Sequence, residues 1–147
     1  MTDVERPRVV IVADDLIWAT RLDTIVRAAG AEPTLAGTPD RLRNGISGAD
    51  AALIDLGTRR MDPFEAIVAA RLAGLTIVAV GPHEDLAARK RALADGASRV
   101  YAYRKLFDDG PRTIAAWLNL PAPTLASASG PDEPVAGRPS SIVPARR

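Results

Sequence analysis

Three aspartates stand directly behind runs of apolar residues. Asp14 and Asp15 follow Val9-Val10-Ile11-Val12-Ala13, and Asp55 follows Ala51-Ala52-Leu53-Ile54. If those runs are neighbouring strands, three carboxylates meet in one crevice. Like charges within several ångströms do not all stay ionised cheaply, so such a cluster takes up a proton or binds a cation. An all-oxygen donor set with no His or Cys beside it suits Mg²⁺, which accepts one or two carboxylates and keeps several waters. A cation held there would neutralise charge on an incoming phosphoryl group, and one carboxylate could attack phosphorus and become an acyl phosphate.

The rest of the composition narrows the alternatives. The chain has 147 residues, 47% hydrophobic and 25% charged, the proportions of an ordinary globular domain. It has no cysteine and one histidine, His83, which excludes a disulfide scaffold, a zinc-thiolate site and a two-histidine relay. The net charge of +1 lacks the basic excess expected of a protein that lives on nucleic acid or anionic lipid. No apolar run approaches a membrane span, and the start MTDVERPR lacks the long apolar core of a signal peptide, so the expected location is the cytoplasm. There is no glycine-rich phosphate loop and no Ser/His pairing, which leaves a small hydrolase or nucleotide-binding enzyme without machinery.

The elements that must position the acids alternate along the body. Apolar strand-like runs lie at Val9–Ala13, Pro33–Ala36, Ala51–Ile54, Leu75–Val80 and Ser98–Tyr103. Between and after them come helical patterns at 16–30, Pro39–Ile46, from Asp62-Pro63 to Leu72, His83–Asp95 and from about Pro111 to Leu118. Continuous β-branched runs fit strands buried on both faces, and a βα rhythm of this kind requires parallel pairing with right-handed crossovers. The fold class is therefore α/β, a doubly wound five-stranded parallel sheet of flavodoxin-like form. Ligands of such sheets sit beyond the C-terminal strand ends. Those ends carry Asp14-Asp15, Asp55, Gly81 and Tyr103-Arg104-Lys105. Trp18 and Trp117 read as packing residues, and Arg89-Lys90-Arg91 as the solvated face of the fourth helix. Residues 121–147 hold six of the twelve prolines and no aromatic residue, so a domain over 8–120 is expected to end in a disordered tail.

Over residues 8–118 the chain resembles a response-regulator receiver domain of CheY-like type. VVIVADD matches the family's first strand and acidic pair, and ALIDL its third strand and phosphoacceptor. Met61-Asp62 stands where the family commonly has Met-Asp-Gly, with Pro63 in place of the glycine. The resemblance implies strand order 2-1-3-4-5, Asp55 as phosphoacceptor, and Mg²⁺ held by Asp15 directly, by Asp14 through water, by Asp55 and by the Gly57 carbonyl. It also implies a histidine kinase or phosphotransfer protein as phosphoryl source. Output would pass to a protein partner, or to a homodimer, through the face made by the fourth helix, fifth strand and fifth helix, with no nucleic acid or membrane involved and no enzymatic role.

The same comparison exposes departures. Receiver domains carry Ser or Thr at the end of strand four, where this chain has Gly81. They carry an aromatic residue on strand five, then Lys three residues later and Pro. Aligned without a gap, those places hold Val100, Tyr103 and Arg104; one extra residue gives Tyr101 and Arg104 instead. In the second alignment Arg104 would contact the phosphoryl group, a change from Lys that alters the geometry of the contact. Two functions follow. One is a stand-alone receiver in a phosphorelay. The other is a degenerate receiver acting as a phosphorylation-independent protein-binding module.

Overall fold

The computed structural model describes residues 6–123, and its centre is one parallel sheet. The strands are β1 (Arg8–Val12), β2 (Glu32–Leu35), β3 (Ala51–Asp55), β4 (Thr76–Gly81) and β5 (Arg99–Ala102). They lie in the order β2-β1-β3-β4-β5, as expected. Helices α1 (Leu16–Ala28), α2 (Pro39–Ile46), α3 (Pro63–Leu72), α4 (Leu86–Asp95) and α5 (Tyr103–Trp117) make the crossovers and cover both faces.

Alternation along the strands sends side chains into two cores. Val9, Ile11, Leu53, Val78 and Val80 pack with Leu22, Ile25 and Val26 of α1 and with Leu106 and Ile114 of α5. Val10, Val12, Ala52, Ile54, Ile77 and Ala79 pack on the other side with Leu42, Ala66, Ile67, Ala70 and Ala92 of α2, α3 and α4. Each such aliphatic side chain removed from water contributes on the order of 1.5–3 kcal/mol, which is why the β-branched runs sit where both faces are covered.

The helix starts are written locally. Asp15 Oδ1 accepts from the Trp18 N–H at 2.9 Å, Asp62 Oδ1 from Phe64 N–H at 2.8 Å, and Asp85 Oδ1 from Ala88 N–H at 3.1 Å. Thr38 caps α2 ahead of Pro39. These side chains satisfy amides left free at the first turn. Helix α4 begins at Leu86, three residues later than expected, because Pro82–Asp85 forms a turn and Asp85 supplies the cap. Arg89 and Arg91 are not a purely solvated face: Arg89 donates to the Val100 carbonyl at 3.1 Å, and Arg91 stacks over Phe64 at 4.3 Å.

The largest departure from expectation is at strand five. It stops at Ala102, and Tyr103 opens α5, which runs on to Trp117 through a break at Asp109 (φ −146°, ψ 36°). Tyr103 stands two residues after Tyr101 and its aromatic type suits a strand; burial of Leu106, Gly110 and Ile114 on one side makes it a helix. Pro111 does mark a start, that of the second helical segment after the break. At Gly110 the α5 backbone comes so close to α1 that an added Cβ would lie 2.8 Å from Ile25 Cδ1. Trp18 and Trp117 are partly buried against the α1–α5 core. Leu120 still packs there, while nearly all of the expected tail, 124–147, lies outside the described residues.

Candidate functional site

Strand register brings the chemistry-bearing residues into one row across the sheet. Val12 pairs with Ile54, Asp55 with Val80, and Gly81 with Ala102, so Asp14, Asp55, Gly81 and Tyr103 all come off the same edge. Asp55 lies buried at that edge, only 3% exposed.

Each acid is engaged by the protein itself. Asp14 Oδ2 accepts from the backbone N–H of Arg59 at 2.7 Å and of Arg60 at 2.6 Å, which ties the loop after β3 to the end of β1. Asp15 is exposed and spends Oδ1 on the α1 cap. Asp55 Oδ1 accepts from the Gly57 N–H at 2.9 Å and from the Tyr103 hydroxyl at 2.5 Å. Thr58, also buried, sends its hydroxyl toward the Val12 carbonyl at 3.4 Å. Among the described residues, no three His, Cys, Asp or Glu side chains are gathered closely enough to hold a metal ion. The expected Mg²⁺ set of Asp14, Asp15, Asp55 and the Gly57 carbonyl is present by residue type, and each of its three carboxylates has one oxygen engaged by the protein.

The ionisation of the acids follows their surroundings. Burial pushes the Asp55 carboxyl above its ordinary value; the Tyr103 and Gly57 hydrogen bonds oppose this, and the charges of Asp14 and Asp15 add to it. Asp14 moves the other way, lowered chiefly by the Arg60 N–H, then by that of Arg59. Burial, followed by the hydrogen bond to Asp55, raises the Tyr103 phenol, so it remains a proton donor.

The read-out side of the crevice differs from the sequence expectation at Arg104. Its side chain is 87% exposed and pairs with Asp108 at 3.5 Å, away from Asp55. Lys105 is exposed as well. The helical turn opening at Tyr103 is the reason: successive residues there diverge by about 100°, so only one of the three can face the crevice. The alignment without a gap therefore describes the structure, with Tyr103 at the place of the family's lysine. Sequence reasoning named that position without seeing the phenol as the partner of Asp55. The signal was available in the ungapped spacing from Gly96-Ala97. Tyr103 is held in turn by Trp18, whose ring meets it edge to face at 5.0 Å between centroids. Gly81 is closed off by Leu56, whose side chain lies 3.2 Å from where a Cβ would stand.

No family model and no curated protein matches this chain. Solved structures do. A candidate response regulator from Chloroflexus aurantiacus is 21% identical with a TM-score of 0.69, over 78% of this chain and 99% of its own. A CheY-like receiver domain protein from Methanospirillum hungatei is 20% identical with a TM-score of 0.62, over 78% and 98%. A response regulator from Burkholderia pseudomallei, solved with a phosphorylated aspartic acid and a calcium ion, is 15% identical with a TM-score of 0.63, over 84% and 69%. With its strand order and its acidic edge, the chain has the fold of response-regulator receiver domains.

Proposed function

We propose that this protein is a receiver-fold signalling module that acts by binding another protein, without enzymatic turnover and without needing a phosphoryl group on Asp55. The observation that supports this reading is the engagement of the acids: Asp14 holds a loop, Asp15 holds a helix, and Asp55 holds Tyr103 and Gly57. On each carboxylate one oxygen is taken up by internal donors, which makes it a poorer ligand and a poorer nucleophile than a free one. Gly81 adds to this, since no hydroxyl stands at the end of β4 to meet a phosphoryl oxygen. No helix among the described residues is long and apolar enough to cross a membrane.

A second reading keeps Asp55 as a phosphoacceptor served by a histidine kinase or phosphotransfer protein, with output through the α4–β5–α5 face. It is favoured by one feature, the approach of Asp14 and Asp15 close enough for their charges to act on Asp55. Intact mass after incubation with acetyl phosphate and magnesium chloride separates the two readings, with Asp55→Asn as control. The first predicts an unmodified chain. A single phosphoryl adduct, absent from Asp55→Asn, overturns it.

A further inference from the structure

The Tyr103 hydroxyl stands at 2.5 Å from Asp55 Oδ1, in the place where the receiver pattern puts a lysine. A lysine ammonium there would give Asp55 a charge-assisted hydrogen bond. A phenol donates a neutral hydrogen bond and brings its ring with it. The ring is only half buried, and it borders an open groove of about 340 Å³ lined by Trp18, Arg104, Phe107 and Asp108. The side chain therefore has space to swing out of the crevice. Its hold on Asp55 also depends on a neighbour. A Cβ on Gly57 would stand 2.8 Å from the Tyr103 hydroxyl oxygen and 3.3 Å from Asp55 Oδ1. The closer clash is with the far end of a side chain, which can move, and Gly57 is not held at a positive φ.

We propose that Tyr103 is a positioning residue that latches Asp55, and that its hydroxyl, seated because residue 57 is glycine, is what withholds the Oδ1 oxygen from cations and phosphoryl donors. The inference deepens the reading above by naming the group responsible for it. With the latch open, Asp55 Oδ1 is free to attack the phosphorus of acetyl phosphate. The bond from phosphorus to the acetyl oxygen breaks, acetate leaves with the electron pair, and an acyl phosphate forms on Asp55.

Two substitutions open the latch from opposite sides. Tyr103→Phe removes the hydroxyl and keeps the ring against Trp18, while Gly57→Ala displaces the hydroxyl and leaves Tyr103, Asp55 and the residue 57 carbonyl in place. Wild type, both variants and each variant combined with Asp55→Asn are incubated with acetyl phosphate and magnesium chloride and followed by intact mass. Melting temperature with magnesium chloride alone is read in parallel. Both variants are expected to gain one phosphoryl group at least about tenfold faster than wild type, the worth of one hydrogen bond to a charged group. Asp55→Asn is expected to abolish the gain, and Mg²⁺ to raise the melting temperature of the variants more than that of wild type. If wild type and both variants all stay unmodified, the latch is overturned and the phosphorylation-independent reading stands. If wild type reacts as fast as the variants, both fail. If wild type reacts slowly and the variants at least tenfold faster, the latch stands and only the phosphorylation-independent reading falls.

Discussion

The two halves of the crevice match the receiver pattern unequally. On the side of β1 and β3, the residues that the receiver pattern requires are all present: Asp14, Asp15 and Asp55. On the side of β4 and β5, Gly81 stands where that pattern has a hydroxyl and Tyr103 where it has a lysine, with Arg104 turned outward. The acidic half also does structural work, since its carboxylates tie loop 59–60 to β1 and start α1. Residues with a folding role can be present for reasons unrelated to signalling. An acidic triad is thus weaker evidence for phosphorylation than the groups opposite it, whose only contribution in a receiver is to the phosphoryl group.

Stability measurements can break this contrast. The largest effect is expected from restoring the missing hydroxyl: Gly81→Thr forces a branched side chain against Leu56 and lowers stability by about 1–3 kcal/mol in denaturant titration. A neutral result there would mean that Leu56 does not fill the read-out half. Asp14→Ala is expected to cost about 1–2 kcal/mol by freeing two loop amides from a charged acceptor. Asp15→Ala should cost about 1 kcal/mol, the ordinary value of an N-cap. If neither aspartate affects melting, their retention is not structural and the comparison loses its basis.

The pH dependence sharpens the contrast within the acidic half, because its members titrate with opposite sign. Asp55 has a raised folded pKa, so its contribution to stability is fully present below its unfolded value of 3.8 and is lost as pH rises through the folded value. Asp14 has a lowered folded pKa, so its contribution is present above 3.8 and is lost as pH falls through the folded value. Measured from pH 3 upward, Asp55→Asn should therefore gain on wild type as pH rises, and Asp14→Asn should lose ground. The same sign for both variants would contradict the burial of one and the amide contacts of the other. Asp55→Asn keeps an oxygen for Tyr103 and Gly57, which makes its effect at low pH the smallest of the series.

Much of this architecture is legible along the chain because it is local. Apolar runs at Val9–Val12 and Ala51–Ile54, the caps Asp15, Thr38 and Asp62, and the stop at Gly96 announce themselves through propensity and hydrogen bonding within a few residues. The element missed was the first half of α5. Tyr103 there has an aromatic type that suits a strand, and it joins a helix because Leu106 and Ile114 bury against α1 and the sheet. Its consequence reached the site, since Arg104 was expected in the crevice and Tyr103 occupies it.

The amino-acid sequence by itself determined the βα order, the parallel sheet and the set of acids at its C-terminal edge, because each rests on periodicity or on a residue type beside a strand end. Only the tertiary structure decided what those acids do. Asp55 and Tyr103 lie 48 residues apart and Asp14 and Arg59 lie 45 apart, so their hydrogen bonds exist only once β1, β3 and β5 share one sheet in register. Which oxygen is satisfied, and by whom, is settled by how closely β5 and α5 approach β3, and no local pattern encodes that distance.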